Sequence, residues 1–251
     1  MKTYTLTSHV ADQVAALEAG SVRRRLVLKP LIIGLTALTI LMVLFFGWQG
    51  DLRDAGIGGA AGLGVVILLS VIAVAGPSER DVAIKRAGAA GEAVLPRMLH
   101  VLPDSYTLLN GVPVPGSRAD IDHVLVGPTG IWAIEAKHHV GMVQCVGDAW
   151  GYSRLGPGGI PREGHIGNPS QQAQRAAHAL GAYLGRRGMH ERVQPVVVFT
   201  HPHVELLLDA PTVPVVRAAE VQALITHGTA HVSPAIAQRI VETLCQLRPL
   251  R

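Results

Sequence analysis

The sequence predicts an α/β fold, a mixed sheet flanked by helices, preceded by a transmembrane helical hairpin. Three observations carry this prediction. Two charge-free runs, 31–48 and 55–76, come before any strand pattern. Three stretches with strand character follow, beginning at Tyr106. A helical pattern from Gln171 then leads directly into an apolar run from Val193, which implies a crossover between parallel strands.

The composition separates an apolar part of the chain from an ordinary soluble part. Of the 251 residues 49% are hydrophobic and only 16% are charged, and the apolar excess lies between Leu31 and Gly76. The net charge of +4 fits an anionic partner, either a nucleic acid or an anionic membrane surface. Cys145 and Cys245 have no CxxC neighbour, so the sequence indicates neither a disulfide framework nor a structural zinc site. This pattern suits a reducing compartment.

The two charge-free runs predict a membrane hairpin. The first, LIIGLTALTILMVLFFGW at 31–48, is long enough to cross a hydrocarbon core of about 30 Å as a helix. The second, at 55–76, contains GIGGAAGLG, whose small residues let a neighbouring helix approach closely. A pair of buried core helices is the alternative, but consecutive charge-free runs of this length are rare in soluble domains. A cleaved signal peptide fits less well, because about thirty residues precede the first run.

The flanking charges predict the orientation of this hairpin. Positive residues precede the first run and follow the second: Arg23, Arg24, Arg25, Lys29, Arg80, Lys85 and Arg86. By the positive-inside rule both termini are cytoplasmic, and the protein is a multi-pass protein of the cell (plasma) membrane. The connecting loop, with Asp51 and Asp54, is expected outside. The segment 11–26 reads either as an amphipathic helix on the membrane surface or as a solvated helix.

The rest of the chain alternates strand and helix patterns. We expect a helix within 77–99 and then a three-stranded meander, formed by YTLLNGVPV, RADIDHVLV and GIWAIEAKHHV. A hairpin formed by MVQCV and AWGYSR is expected to extend the same sheet. The helix QQAQRAAHALGAYLGRR, the strands VQPVVVFT and TVPVV, and helices near AAEVQALI and SPAIAQRIVETLCQL complete the pattern.

Charged residues cluster at the ends of two predicted neighbouring strands. Glu135 and Lys137 are two residues apart and therefore project from one face, and Asp122 can reach them from the adjacent strand. Two carboxylates suit Mg²⁺, and a lysine beside the metal can activate water or offset charge on phosphorus. An E-x-K tripeptide also occurs by chance, as a solvated strand end or a cross-strand ion pair. The apolar flanks, VLVGPTGIWAI, favour a site.

Several blocks of the chain together are similar to a known family. They are GEAVLPRML, DIDHVLVGPTGIWAIEAKHHVGMV, Trp150, NPSQQ from Asn168, and VQPVVVFT. In order and spacing they resemble the nuclease-related domain, NERD, a member of the PD-(D/E)xK nuclease superfamily. The resemblance extends from Gly88 to Ile225 and implies a restriction-endonuclease-like core.

The resemblance also implies a role for each of five residues. Asp122 and Glu135 are the main ligands of Mg²⁺, for which Mn²⁺ can substitute, and Glu92 is a secondary ligand. Lys137 activates water or stabilises charge. Gln172 of the NPxxQ element orients substrate or Lys137.

Some of these residue assignments have alternatives. Gln171 replaces Gln172 if the register slips by one, and Asp120 shares a face with Asp122 as a possible third carboxylate. His138 and His139 follow the lysine, where the family pattern favours a polar residue such as asparagine.

Other polar and aromatic residues carry less information. The histidines have no metal-binding spacing, and solvated or hydrogen-bonding roles are expected for His123, His138, His139, His165, His201 and His203. Packing is favoured over base stacking for Trp132 and Trp150. The arginines that could contact phosphates are Arg154, Arg162, Arg175, Arg186 and Arg187.

The functional hypothesis is a membrane-anchored, cytoplasm-facing, metal-dependent nuclease that hydrolyses phosphodiester bonds, with DNA and the lipid bilayer as partners. The predicted segments are 1–30 (cytoplasmic), 31–76 (hairpin), 77–87 (linker), 88–225 (nuclease-like domain) and 226–251 (C-terminal helix). A non-catalytic module that binds nucleic acid or protein is the alternative, and a membrane scaffold is a third. Small residues in the second run also permit homo-oligomers.

Overall fold

The structure is a computed structural model that describes residues 1–7, 15–20, 22, 24–48, 52–74, 79–117 and 119–247. It divides into two compact units, one formed by Met1–His9 with Ala87–Arg251 and one formed by Val10–Arg86. Arg23, the loop residues 49–51 and residues 77–78 of the predicted linker lie outside the described residues.

The first unit contains a six-stranded mixed sheet in the order β1-β2-β3-β4-β8-β10. Its strands are β1 (Lys2–Thr5), β2 (Thr107–Val112), β3 (Ile121–Gly127), β4 (Gly130–Lys137), β8 (Val193–Phe199) and β10 (Val215–Arg217). The meander is confirmed, because β2, β3 and β4 are antiparallel neighbours. The crossover is confirmed as well, because β8 runs parallel to β4.

A second sheet has the order β7-β6-β5-β9. Its strands are β5 (Gly141–Val146), β6 (Ala149–Leu155), β7 (Pro161–Gly164) and β9 (Val204–Asp209). The predicted hairpin is present as β5 and β6, but the expectation that it extends the first sheet is wrong. β5 pairs instead with β9, in the segment after β8 that carried no strand prediction. A tight turn fixes pairing inside a hairpin, whereas the outer partner depends on distant residues.

Helices cover both faces of the six-stranded sheet. In this unit they are α4 (Val94–Leu99), α5 (Pro169–Gly185), α6 (Val221–Thr226) and α7 (Pro234–Cys245), and α3 (Glu79–Glu92) ends in it. One core lies between the sheet and α5 with α7, where Leu180 and Ile240 are fully buried. The other lies between the sheet and α4 with α6, where Leu95 and Ile225 are fully buried.

The predicted helix within 77–99 divides into α3 and α4 at Ala93. Pro96 explains the break. In a continuous helix its ring would clash with the carbonyl group of the residue four positions earlier, which is Glu92. In α4 the proline occupies the first turn, where no backbone donor is needed. Glu92 is therefore the last residue of its helix.

The strand β1 was absent from the sequence prediction, which set residues 1–30 apart from the domain. β1 runs parallel to β2, with Lys2 opposite Thr107. The next residues continue the attachment, because Leu6 is buried in the core and its amide donates to the carbonyl oxygen of Asn110 at 2.9 Å. All four residues of β1 are exposed, so no alternation of polar and apolar residues signals the strand.

The second unit contains α1 (Lys29–Trp48) and α2 (Leu52–Val74), preceded by a π-helical turn at Arg24–Leu28. Residues 15–20 are also helical. Among the described residues one helix, Leu26–Phe45, is long and apolar enough to cross a membrane, and Gly59–Val71 is a shorter apolar stretch. The two-span prediction is therefore supported only for its first span.

The described apolar side chains of α1 and α2 are largely exposed. None of the span Leu26–Phe45 is buried, and Leu41 and Leu68 are about 60% exposed. Glycines lie where α1 and α2 meet. A Cβ added at Gly59 would lie 2.9 Å from Val43 Cγ2, and one at Gly62 would lie 2.5 Å from Thr39 Oγ1. The small residues of α2 thus allow the close helix contact that the sequence suggested.

Candidate metal and nucleic-acid site

Asp122 and Glu135 lie on the adjacent strands β3 and β4. The ladder between them ends with His123 opposite Ile134, and one further step places Asp122 opposite Glu135. Both side chains point to the face covered by α5, because Val124 and Ala133 of the same face are buried there. Asp122 Oδ2 also accepts a hydrogen bond from the amide of Ala136 at 3.1 Å. The structure therefore brings the two carboxylates together.

Lys137 completes the group. Its Nζ donates to Glu135 Oε1 at 2.6 Å, and the side chains of this pair are only 26% and 15% exposed. Residues two apart in a strand share a face, so the contact follows from the extended backbone of β4. An ion pair that is partly removed from water is screened less than one on the open surface. The E-x-K tripeptide is thus not a solvated strand end.

Gln172 lies across an open depression from these carboxylates. The depression has a volume of about 570 Å³ and is lined by Asp120, Asp122, Glu135, Gln172 and Arg175, among others. That volume lies in the range of small-molecule sites. Gln171, the alternative to Gln172, instead accepts a hydrogen bond from Arg175 Nη2 through its side-chain oxygen at 2.6 Å. The geometry favours Gln172 as the glutamine of the site.

The start of α5 is held in place by residues from the second sheet. Trp150 Nε1 donates to Ser170 Oγ at 3.1 Å in the buried interior. Asn168 caps the helix by accepting from the Gln171 amide at 2.8 Å, and its Nδ2 donates to the carbonyl oxygen of Asp148 at 3.1 Å. Trp150 is therefore a packing residue, as expected, and its indole anchors the helix turn that presents Gln172.

Asp120 is tied to the N-terminal segment. Thr7 Oγ1 lies 2.7 Å from Asp120 Oδ2, and the backbone of Thr7 is held by its amide, which donates to the carbonyl oxygen of Gly111 at 3.1 Å. Sequence reasoning missed this contact, because it joins residues more than a hundred positions apart. A carboxylate engaged by a hydroxyl donor is oriented before any ligand arrives.

The fifth predicted residue, Glu92, lies at the end of α3, and its side chain is outside the described part of the structure. Its neighbour Gly91 is described and buried. A Cβ added at Gly91 would lie 2.3 Å from His138 Cβ. The helix end that carries Glu92 therefore lies against the residue that follows Lys137.

The histidines form hydrogen bonds and ring contacts, not a metal centre. In the described parts of the chain, no group of three or more His, Cys, Asp or Glu side chains is arranged to hold a metal ion. His138 and His201 have ring centroids 4.9 Å apart, and His139 packs edge-on against Tyr152 at 4.4 Å. Burial, and then the neighbouring His201, lowers the pKa of His138 below its ordinary value.

His123 is the most buried of these histidines, with 2% of its surface exposed. Its Nδ1 lies 2.7 Å from Asn110 Oδ1, whereas its Nε2 is buried without a hydrogen-bond partner. Burial lowers the pKa of His123 to about 4. The imidazole is therefore neutral near pH 7, and a second proton would have no acceptor.

The arginines do not share one face. Arg175 lines the depression. Arg187 follows the far end of α5, where its guanidinium lies over the ring of Tyr183, with Cζ 3.8 Å from the ring centroid. Twelve residues of helix rise by about 18 Å, so these two cannot contact the same phosphate. Arg154 lies over the ring of Tyr152 in β6, close to His139.

The oxygen donors fit a hard divalent cation. Mg²⁺ uses one or two protein carboxylates and completes its shell with water and phosphate oxygens. Asp122 and Glu135 supply two carboxylates at the edge of an open depression, and thiolates are absent from its lining. This donor set suits Mg²⁺ better than Zn²⁺, which favours histidine and cysteine.

Comparisons with known proteins agree with the resemblance. Residues 87–200 match the family described as the nuclease-related domain, NERD. An uncharacterized protein of Bacillus anthracis is 38% identical over 60 residues, which are 22% of this chain and 28% of that protein. No solved structure matches the chain. The matched range contains all five predicted site residues, but it leaves out β1.

Proposed function

We propose that this chain, whose residues 87–200 match the nuclease-related domain family, is a membrane-anchored, metal-dependent nuclease that hydrolyses phosphodiester bonds in DNA. The observation that carries the proposal is the partly buried ion pair of Glu135 with Lys137 on the strand beside Asp122, with both carboxylates lining an open depression. Clustered charge in such a place needs a functional partner.

In this proposal Asp122 and Glu135 hold Mg²⁺, with Glu92 as a further ligand on the strength of the family resemblance. The ion supplies Lewis-acid stabilisation of the negative charge that develops on the phosphate. Mn²⁺ provides similar coordination and is expected to substitute.

The protein's own groups position the substrate and the water. Lys137 directs one N–H toward Glu135 and has two further donors for an attacking water or a phosphate oxygen. Arg175 lies at the rim, and its guanidinium suits a phosphate of the DNA backbone. Gln172 can donate to the substrate through its amide. These roles raise the local concentration of correctly oriented reactants, which is a large part of catalysis.

The test uses the full chain in detergent or in lipid discs. A fragment that starts at residue 80 would lack β1 and the buried Leu6, so it is not an equivalent protein. Circular, linear and single-stranded DNA are incubated with the protein, with Mg²⁺ or with chelator. We expect cleavage by the wild type in Mg²⁺ and a loss of about 100-fold or more in Lys137→Ala and Glu135→Gln.

Glu205→Gln is the matched control, because Glu205 is an exposed residue of β9 outside the depression. It should cleave like the wild type. If the folded wild type binds DNA but cleaves no DNA or RNA in Mg²⁺ or Mn²⁺, the nuclease proposal is wrong and the binding-module alternative takes its place.

We further propose that Val10–Arg86 anchors the chain by crossing the membrane twice, with the nuclease domain in the cytoplasm. The argument comes from chain connectivity. Residues 1–9 and 87–251 belong to one compact unit, joined by the parallel pairing of β1 with β2. A single crossing would separate these partners by a bilayer, whereas two crossings return the chain to the same side.

Cysteine labelling tests this topology. Asp51→Cys, in the connecting loop, should react with a membrane-impermeant maleimide in intact cells. Asp209→Cys, at an exposed position of the domain, should react only in inverted vesicles or after detergent. Cys245→Ser removes the one native thiol that is not fully buried among the described residues. Labelling of Asp209→Cys from outside would refute the orientation.

A further inference from the structure

The last turn of α3 approaches His138, the residue after β4, more closely than a side chain at position 91 would permit. A Cβ built at Gly91 would meet three atoms of His138, with Cβ at 2.3 Å, Cγ at 2.7 Å and Nδ1 at 3.0 Å. Gly88, one turn earlier on the same helix, has no atom within 4 Å of such a Cβ. The close approach is therefore confined to the turn that ends in Glu92.

His138 is itself held firmly at the end of β4. Its Nδ1 lies 3.1 Å from Thr200 Oγ1, and Thr200 is 3% exposed. The amide of Thr200 donates to the carbonyl oxygen of Lys137 at 2.9 Å. Thr200, the residue after β8, therefore fixes His138, which directly follows the lysine of the site. His138 cannot move away from α3 without breaking these contacts.

We propose that the contact between Gly91 and His138 sets the distance between the end of α3 and the strand that carries Glu135 and Lys137. Gly91 and His138 are positioning residues for the metal site. This inference rests on the proposed function, because the distance matters for catalysis only if Glu92, at the end of α3, is a further ligand of the metal ion. His138, where the family pattern favours a polar residue such as asparagine, provides the surface on which the helix docks.

A small displacement at this contact is expected to have a large effect. An alanine at position 91 needs about 1 Å more space than the structure provides, because ordinary contacts begin near 3.4 Å. The helix end must then move away from β4. A misplacement of about 1 Å can lower a reaction rate by about 100-fold, and lost support of a metal ligand lowers metal affinity by about tenfold or more.

The experiment compares Gly91→Ala with Gly88→Ala in the full chain. Both changes replace a glycine of the same helix with alanine, and of the two positions only 91 lies in close contact with His138. We expect Gly91→Ala to lose about 100-fold in DNA cleavage and to need about tenfold more Mg²⁺ for half-maximal rate. The KM for DNA should stay near the wild-type value. Gly88→Ala should match the wild type in every respect.

Rescue at position 138 identifies the atoms involved. His138→Gly removes the clashing Cβ, so adding Gly91→Ala to it should raise the Mg²⁺ requirement little beyond that of His138→Gly alone. His138→Ala keeps that Cβ, so adding Gly91→Ala to it should still raise the Mg²⁺ requirement markedly. The midpoint of thermal unfolding in chelator gives a second readout that needs no activity: Gly91→Ala should lower it in the wild type and in His138→Ala, but hardly in His138→Gly.

A variant that adds no volume guards against misfolding of Gly91→Ala. Thr200→Val removes the hydroxyl that holds His138, and it should raise the Mg²⁺ requirement in the same direction. Equal cleavage and equal Mg²⁺ requirement in Gly91→Ala, Gly88→Ala and wild type would overturn the inference while leaving the nuclease proposal intact. An equal effect of Gly91→Ala in His138→Ala and in His138→Gly would overturn it too. Absence of cleavage by the folded wild type overturns the proposed function, and this catalytic role with it.

Discussion

The two units of this chain use the same apolar residue types in opposite ways. In the domain, leucines such as Leu125 are fully buried between the sheet and its helices. In Val10–Arg86, leucines such as Leu63 are more than half exposed, and the helix contact is formed by Gly59 and Gly62. Water drives apolar side chains inward, whereas a lipid environment leaves them outside and rewards close backbone contact. The difference is the one expected of a domain in water and of the bilayer-spanning segment proposed above.

Shortening one leucine in each unit should have very different effects on stability. Leu125→Ala should lower the free energy of unfolding of the domain by about 3 kcal/mol, because it leaves a cavity beside Trp132. Leu63→Ala should change stability by about 0.5 kcal/mol or less. Urea unfolding in detergent, followed by near-UV circular dichroism, measures both. Equal losses would mean that α2 is a core helix.

The second test concerns the protonation of His123, which is buried in the domain. The folded domain takes up the proton of His123 near pH 4, whereas the unfolded chain takes it up near pH 6.5. The depressed pKa therefore contributes stability that is fully present above pH 6.5 and is lost as the pH falls toward 4. The loss amounts to roughly 3 kcal/mol.

The free energy of unfolding is measured in chelator between pH 4 and pH 7. It should show this loss in the wild type and in His100→Gln, a control at an exposed position. His123→Gln should flatten the pH dependence, because its amide can bond Asn110 without a titrating proton. An unchanged pH dependence in His123→Gln would show that another group carries it.

The third test concerns the contact between α1 and α2. Gly62→Leu places a side chain where a Cβ alone would lie 2.5 Å from Thr39, so it should weaken the packing of α1 on α2 by about 1–2 kcal/mol. Gly64→Leu is the control, because no atom lies within 4 Å of its Cβ position. Proteolysis in lipid discs reports the difference. Equal resistance of the two variants to proteolysis would show that the close contact at Gly62 does not stabilise the pair of helices.

The parts of the fold that local patterns determine could be predicted from the sequence. The meander β2-β3-β4 and the helix α5 follow from alternation and helical spacing, and so does the convergence of Asp122, Glu135 and Lys137. The resemblance added Gln172, which lines the same depression.

The features that the sequence did not predict depend on contacts between residues that are far apart in the chain. β1 joins a partner about a hundred residues away, and β9 pairs with β5 although a helix and three strands lie between them in the chain. Neither has a pattern of its own that separates strand from loop. The contact of Gly91 with His138 also escaped, because a glycine in a helical pattern gives no sign of what approaches it.

The pairing of β1 with β2 also imposes an order on biosynthesis. The ribosome makes β1 first, but its partner β2 emerges only after the whole of Val10–Arg86, since Lys2 pairs with Thr107. The first strand therefore waits, unpaired, while these residues are synthesised. Closing so long a loop is slow, and it comes late in folding. In the proposed topology, the edge of the sheet beside Asp120 is thus completed only after Val10–Arg86 has entered the bilayer.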